Sequence, residues 1–429
     1  MPPLPSDRSE SVFADDKPAY TRSQAVVEAN RCLFCHDAPC TKICPTHIDI
    51  PNFIRKIATG NTKGAAKTIF ESNILGMSCA RVCPVEVLCV GDCVDNLAGV
   101  PPIQIGKLQR FATDLALQEG WTFFARGPET GKTIALVGAG PASLACAHEL
   151  ARHGHRAVIY EGRHVLGGLN TTGVAPYKMR ADRSETEVAW ILSIGGIDIK
   201  HESVTDVAAL ESQYDAVFLG LGLGEDSSLG IPGEQLDGVE GAVHFIERMK
   251  LGKVDLSGVT HAAVIGGGNT AIDASRELKR LGVPCVRMVY RGEAETMSGY
   301  LHEWKYAKID GVIEHFRAQP VAFDGANGKV SAVRCLATRD RRPVPGTDHS
   351  VDAELVLLAI GQAKLGTLVG QLAGVSLDKG RILTDDEGFT GRPKLFAGGD
   401  CRNGGKEVVN AAAEGKTSAT AIHRFLSGV

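Results

Sequence analysis

An α/β fold behind a small helical head is predicted by three observations. Two glycine-rich turns each follow an apolar run of strand length and open a helical pattern. Each is followed by a second apolar strand. Eight of the twelve cysteines crowd into a helix-patterned stretch, Cys32 to Cys93, ahead of both. Strand, turn, helix and strand in that order make the βαβ unit of a doubly wound parallel sheet. A chain of 429 residues is longer than one hydrophobic core organises, so two modules and a head are expected rather than one body.

Composition narrows the class. Hydrophobic residues make up 44% and charged residues 22%, the balance of a soluble globular protein. A net charge of −4 offers no basic face for nucleic acid. The run Leu355 to Ile360 stops at Gly361 and Gln362, far short of a membrane span. Met1 to Asp16 lacks the apolar core of a secretory signal, so a cytoplasmic location is expected. There, clustered cysteines are metal ligands or redox groups before they are disulfides. Residues 1 to about 20 are expected as a disordered or surface-hugging arm.

In the head, residues 21–31 are expected as a short helix. Ile50, Phe53, Ile54, Ile57, Ala65, Ala66, Ile69 and Phe70 follow a helical period that Thr59-Gly60-Asn61 interrupts. Ile105 to Gln118 is the last helix. So thin a core is expected to lean on bound metal. The first cysteine block is Cys32, Cys35, Cys40 and Cys44-Pro45; the second is Cys79, Cys83-Pro84, Cys89 and Cys93. Four cysteines within thirteen residues, the last followed by proline, fit iron–sulfur loops, as in the bacterial ferredoxin run. Two structural zinc sites are the alternative, although zinc prefers well-separated cysteine pairs. Eight cysteines suffice for two [4Fe–4S] clusters. His36 and His47 read as loop residues, and Cys146, Cys285, Cys335 and Cys401 as ordinary buried thiols.

The first module starts with strand Thr133–Val137 and the turn Gly138-Ala139-Gly140-Pro141-Ala142-Ser143. Gly138 permits the tight turn, Gly140 permits close approach of a pyrophosphate, and the helix that follows presents N–H donors. Strand Ala157–Tyr160 ends at Glu161, placed to accept from ribose hydroxyls. Gly167-Gly168-Leu169 follows, and much later Gly398-Gly399-Asp400. The second module has strand His261–Ile265, the turn Gly266-Gly267-Gly268-Asn269-Thr270-Ala271, helix Ile272–Leu281 and strand Val286–Tyr290. Its closing strand runs into Ala359-Ile360-Gly361.

Three segments carry a resemblance to a known family: Arg31 to Cys40, Cys79 to Pro84, and Ile105 to Phe111. They resemble dihydropyrimidine dehydrogenase, more narrowly the small, electron-input subunit of the two-subunit bacterial form. More distantly the chain is similar to the small subunit of glutamate synthase. The resemblance implies one [4Fe–4S] cluster on Cys32, Cys35, Cys40 and Cys93. It implies a second on Cys44, Cys83, Cys89 and Gln109, with Cys79 a bystander. It also implies FAD on Gly138 to Ala142, Glu161, Gly168, Leu169, Gly399, Asp400, Glu407 and Val408. A nicotinamide dinucleotide would bind Gly266, Gly268, Asn269, Thr270, Ala271, Arg291, Ala359 and Gly361. NADP-using relatives tend to pair two basic residues beside Tyr290. This chain has Arg291 followed by Gly292, so NADH is expected, with NADPH the alternative.

The implied division is a cluster domain over 1–128, an FAD domain over 129–240 and 360–429, and a nucleotide domain inserted over 241–359. The expected activity follows from the parts. NAD(P)H delivers two electrons at once, iron–sulfur clusters carry one each, and a flavin converts between the two. No acid–base side chain is assigned. The chain is expected to have no room for the barrel-type FMN domain of the single-chain enzyme. The expected partner is therefore an FMN and iron–sulfur catalytic subunit that reduces uracil or thymine to the 5,6-dihydro form. The rivals are a glutamate synthase-type or orphan reductase and a non-catalytic iron–sulfur or zinc regulator.

Overall fold

The computed structural model describes residues 4–363, 366–370 and 372–428. The head is a set of six helices: α1 (Arg22–Ala29), α2 (Pro39–Ile43), α3 (Ile50–Ala58), α4 (Thr62–Ser72), α5 (Gly76–Val82) and α6 (Ile105–Gln118). Thr21 and Gln24 form a reciprocal capping box at the start of α1. The break at Thr59–Asn61 falls between α3 and α4, where the Asn61 side chain accepts from the Gly64 N–H and starts the new helix.

The first module runs β1 (Thr133–Val137), α7 (Pro141–Arg152), β2 (Arg156–Tyr160), α8 (Leu169–Thr172), α9 (Ala181–Leu192), β3 (Ile197–Lys200), α10 (Val207–Gln213) and β4 (Ala216–Leu219). The chain then leaves to build a second parallel sheet. That module holds β5 (Val239–Gly241), α11 (Ala242–Leu251), β6 (His261–Ile265), α12 (Asn269–Arg280), β7 (Cys285–Tyr290), α13 (Leu301–Ile309) and β8 (Ile313–Phe316). Its helix α12 starts three residues before the expected Ile272, because the glycine turn already feeds Asn269 into helical geometry. Next come three strands, β9 (Ala318–Ala326), β10 (Lys329–Arg339) and β11 (Arg342–Asp352), and then β12 (Leu355–Leu358). The chain returns through α14 (Gly366–Val369), β13 (Leu377–Asp378), β14 (Arg381–Ile382), β15 (Leu395–Ala397), α15 (Asp400–Asn403) and α16 (Val408–Ser427).

Strand order shows the insertion directly. The first sheet is β15-β4-β1-β2-β3 and the second β5-β12-β6-β7-β8, so β15 pairs with β4 across the whole second module. Both have the twisted parallel architecture that binds ligands beyond the C-terminal strand ends. The antiparallel sheet β11-β10-β9 was not anticipated. Its inner face is apolar, with Phe323, Val330, Val333 and Cys335 buried, but the register shifts between Val330 and Ala332, Arg334 and Cys335, and Leu336 and Thr338, and β11 carries Pro343 and Pro345 and is largely exposed, so no regular alternation marks the sheet in the sequence.

Two expectations are corrected. The head does not rest on a thin core of its own. Its apolar residues, among them Phe53, Ile69 and Leu108, join one continuous core with Leu136, Leu144 and Ile191 of the first module. At the junction the rings of Phe70 and Trp190 lie 4.4 Å apart, and the Trp190 indole N–H donates to the Trp121 carbonyl at 2.9 Å. The arm is also more than a surface strap. Arg8 and Glu10 are buried as an ion pair, and Glu10 accepts from the Ala181 N–H at 3.0 Å where α9 begins. Phe13 packs into the core of the second module beside Tyr177. Asp16 bridges Arg276 at 2.8 Å and Arg280 at 2.7 Å. Among the described residues no helix is long and apolar enough to cross a membrane.

Candidate functional site

The two glycine turns open at the C-terminal ends of their sheets, as the fold requires. Gly138 has φ +92°, and a Cβ there would lie 2.5 Å from the Gly220 carbonyl oxygen. Gly266 has φ +145°, and a Cβ would lie 2.2 Å from the Ala359 oxygen. Only glycine fits either place. Above the first turn lies a cleft of about 490 Å³. All of Gly138, Ala139, Gly140, Pro141, Ala142, Glu161, Gly168, Leu169, Gly399, Asp400, Glu407 and Val408 line it. Glu161 accepts from the Ala139 and Arg163 N–H groups, both at 2.9 Å, which fixes its carboxylate at the mouth of the turn. Burial pushes the Asp400 carboxyl up to about 6, opposed by the Lys406 N–H and assisted by Glu414. Such a desolvated acid suits a site whose occupant offers hydroxyl donors.

The cleft also holds groups that the sequence did not single out. Lys178 bridges Asp273 at 2.8 Å and Glu303 at 3.2 Å. Burial works against its charge, and the two carboxylates outweigh burial, so its pKa is raised. The Tyr300 hydroxyl donates to Glu407 at 2.9 Å. Burial, then Glu407, moves that phenol up to about 12, while burial raises the carboxyl of Glu407. Asp273 follows Asn269 by one helical turn, a same-face signal present in the sequence. Lys178, Tyr300 and Glu303 carried no such signal.

A second cleft, of about 870 Å³, lies above the second turn and adjoins the first, since Thr270 and Asp400 line both. Gly266, Gly268, Thr270, Arg291, Ala359 and Gly361 line it. Asn269 faces the first cleft instead, and its side-chain oxygen accepts from the Tyr300 N–H at 2.9 Å. Ala271 lines neither; it is buried beneath Gly266. Arg341, at the tip of the β10–β11 hairpin, enters this cleft from a place the sequence did not indicate.

The cysteines form two neighbouring groups with no disulfide among them. Cys32, Cys35, Cys40 and Cys93 line one small hollow. Burial and the surrounding thiols raise Cys40 to about 12. In the second group Cys83 stands against Cys79, Cys89 and Cys44; its hydrogen bond with Cys79, burial and the neighbouring sulfurs all push its pKa up. Cys79 thus lies with the second group, in contact with Cys83. Gln109 is buried on α6 and donates through Nε2 to the Gly76 carbonyl at 2.7 Å, at the start of the helix that carries Cys79. No hydrogen bond among the described residues reaches its Oε1. Crowded, desolvated thiols that pair mainly with one another fit a thiophilic metal centre, which binds thiolates. Pro84 and Val82, on either side of Cys83, line the first cleft, so the second cysteine group abuts it.

Comparison with known proteins agrees with this geometry. Residues 8–121 match the family model described as dihydropyrimidine dehydrogenase domain II, 4Fe–4S cluster. Residues 132–415 match the pyridine nucleotide-disulphide oxidoreductases. The chain is 37% identical over 418 residues to the NAD-dependent dihydropyrimidine dehydrogenase subunit PreT of Escherichia coli K12, covering 96% of each. It is 35% identical over 446 residues to the glutamate synthase [NADPH] small chain of the same organism, covering 96% of this chain and 94% of that one. Among solved structures, FprA from Mycobacterium tuberculosis in complex with NADPH superposes with a TM-score of 0.57 at 20% identity, over 70% of this chain and 85% of that one. Thioredoxin reductase of T. acidophilum gives 0.56 at 19%, over 68% and 98%. These two likenesses concern the fold alone. The chain belongs to the pyridine nucleotide-disulphide oxidoreductases, and is an NAD(P)-dependent flavoprotein oxidoreductase whose N-terminal domain is of the 4Fe–4S kind found in dihydropyrimidine dehydrogenase.

Proposed function

We propose that this chain is the electron-input subunit of a cytoplasmic two-subunit dihydropyrimidine dehydrogenase. It would take electrons from NAD(P)H at the second cleft and pass them by way of the first cleft and the cysteine groups to an FMN and iron–sulfur catalytic subunit that reduces uracil or thymine. The observation that carries the reading is continuity. The second cleft opens into the first, and the first is walled by the loop of Cys83. When bound, FAD converts a two-electron donor into single-electron traffic, and the clusters carry electrons one at a time.

The chain's own residues divide the work. Residues 129–240 and 360–429 hold FAD, with Gly138 to Ala142 on its pyrophosphate, Glu161 and Asp400 on its hydroxyls, and Gly168, Leu169, Gly399, Glu407 and Val408 around it. Residues 241–359 hold the nicotinamide dinucleotide. Lys178, bridged to both Asp273 and Glu303, is held as a fixed ammonium in the wall of the first cleft. Residues 1–128 hold two clusters. Cys32, Cys35, Cys40 and Cys93 take one, and Cys44, Cys83, Cys89 and Gln109 the other. The Nε2 bond of Gln109 to Gly76 supports this, because it orients the amide and leaves Oε1 as the ligand atom. Cys79 is the competing fourth ligand by position, so the Gln109→Ala and Cys79→Ala variants separate the two. Loss of iron in the first and retention in the second is expected.

Similarity to the glutamate synthase small chain supports a second reading, in which the partner differs. Dye reduction by the isolated chain with NADH or NADPH tests the reductase. Repeating the assay with the co-purified FMN protein and uracil, or with glutamine and 2-oxoglutarate, separates the two partners. A chain that reduces no dye with either nucleotide would sink both.

A further inference from the structure

We infer that the second cleft contains a subsite for a phosphate monoester on the adenosine ribose, built from Arg291 and Arg341, and that NADPH is therefore the preferred donor. The inference rests on the reading of this cleft as the nicotinamide-dinucleotide site. In a βαβ nucleotide site the ribose nearest the glycine turn lies beside the end of the second strand. A carboxylate there accepts from the 2′-hydroxyl of NADH, whereas a guanidinium accommodates the 2′-phosphate of NADPH. Strand β7 ends at Tyr290, and the next residue is Arg291, a cation where the NADH pattern needs an acid. Both residues line the cleft with Gly266, Gly267 and Gly268.

The second cation comes from far away in sequence. Arg339 and Arg342 pair across the β10–β11 hairpin, and the two residues between them, Asp340 and Arg341, both have positive φ, +52° and +62°. This is the tight two-residue turn that suits a twisted hairpin. The hairpin is pinned to the strand end by the Thr338 hydroxyl, which donates to the Arg291 carbonyl at 2.7 Å. Three residues on, Arg341 reaches the cleft. Its guanidinium donates to the Thr296 carbonyl at 2.5 Å and lies 6.0 Å from the Tyr290 ring centre. The Tyr290 hydroxyl donates to the same carbonyl at 2.9 Å. The ring itself abuts the glycine turn, since a Cβ on Gly267 would lie 2.6 Å from it. Arg341, Tyr290 and Thr296 thus form one side of the ribose end, with Arg291 beside them.

Glu293, two residues beyond Arg291, does not line the cleft, and its carboxylate pairs with Arg317 at 2.8 Å. Asp226, which lines the same cleft, is occupied by the Val243 and His244 N–H groups at the start of α11. Two guanidinium groups with their neighbouring carboxylate neutralised suit a dianionic phosphate better than a neutral diol. Counting basic residues along β7 alone misses this, because the second one is supplied by the hairpin.

The test is steady-state dye reduction by the holoprotein with each nucleotide, together with inhibition by adenosine 2′,5′-bisphosphate and by ADP. NADPH should be favoured in kcat/KM by about tenfold or more. Arg341→Ala and Arg291→Ala should each lower the NADPH-to-NADH ratio by about tenfold, with Arg341→Lys falling between. The 2′,5′-bisphosphate should inhibit the unmodified protein more strongly than ADP. Preference for NADH, an unmoved ratio in both alanine variants, or equal inhibition by the two adenosine compounds would overturn the subsite while leaving the reductase intact. Failure of both nucleotides to bleach the flavin would overturn the reductase reading as well.

Discussion

Glu277 is fully buried on α12, and neither of its carboxylate oxygens has a hydrogen-bond partner. Burial, then Asp273, pushes it up to about 8, with Lys250, Lys178 and Arg276 pulling the other way. A carboxyl raised in the folded state is protonated there and ionised in the unfolded chain between the ordinary carboxylate value and about 8. Its contribution to stability is therefore complete at low pH and is lost as pH rises through that window. Glu277→Gln keeps the shape and removes the titration. Thermal unfolding at pH 8 should show the variant more stable by about 1–2 kcal/mol, with no difference near pH 4.5. A variant less stable at pH 8 would show that the charge is compensated. At this scale the sequence was legible wherever backbone geometry dictates the residue, as at Gly138 and Gly266. It was silent about Glu277 and Lys178, whose roles depend on partners brought together by tertiary packing. Gln109 is similar: helical spacing says nothing of it, and only the family resemblance singled it out.

Among the elements, α5 joins the cysteines to the first module. Its N-terminus is capped by Glu187 of α9, which accepts from the Met77 N–H at 2.8 Å and from the Ser78 N–H and hydroxyl. Asn170 of α8 donates to the same Ser78 hydroxyl at 2.7 Å. One buried carboxylate thus ties the helix that leads into Cys83 to the elements that follow Gly168. Burial moves Glu187 up to about 7 in spite of those donors. Glu187→Ala leaves buried amides unpaired and should cost about 2–3 kcal/mol. Its sharper signature should be loss of iron from the Cys44, Cys83 and Cys89 group with FAD content kept, measured as iron and flavin per chain. Full iron content would show that α5 holds its position without the cap. The strands and helices around both turns were readable because their period and punctuation agree. The β9–β11 sheet was not, since register shifts in β10 break its alternation and β11 is largely exposed.

At the scale of the molecule, the N-terminal arm stitches three bodies together. Glu10 caps α9 of the first module, and Phe13 fills the core of the second. Asp15 pairs with Arg110 of the head at 2.6 Å, and Asp16 holds Arg276 and Arg280 of α12. Composition alone read this segment as a disordered or surface-hugging arm, because partners such as Arg110, Ala181 and Arg276 are distant in sequence and meet it only in the fold. Phe13→Ala should lower stability by about 3 kcal/mol, read as a drop in Tm. It should also loosen the two clefts relative to each other, seen as slower flavin reduction at saturating nucleotide. An unchanged Tm would place the arm outside the cooperative unit.

All of these ties serve one claim, that electrons entering at the second cleft reach the cysteine head through the first. Anaerobic titration of the holoprotein with NADPH, followed by optical absorbance and by electron paramagnetic resonance, tests it most directly. Bleaching of the flavin bands together with the signal of a reduced [4Fe–4S] cluster is expected, the cluster signal being lost in Gly138→Ala protein that fails to retain FAD. Flavin bleaching with no cluster reduced at any excess of nucleotide would contradict the account.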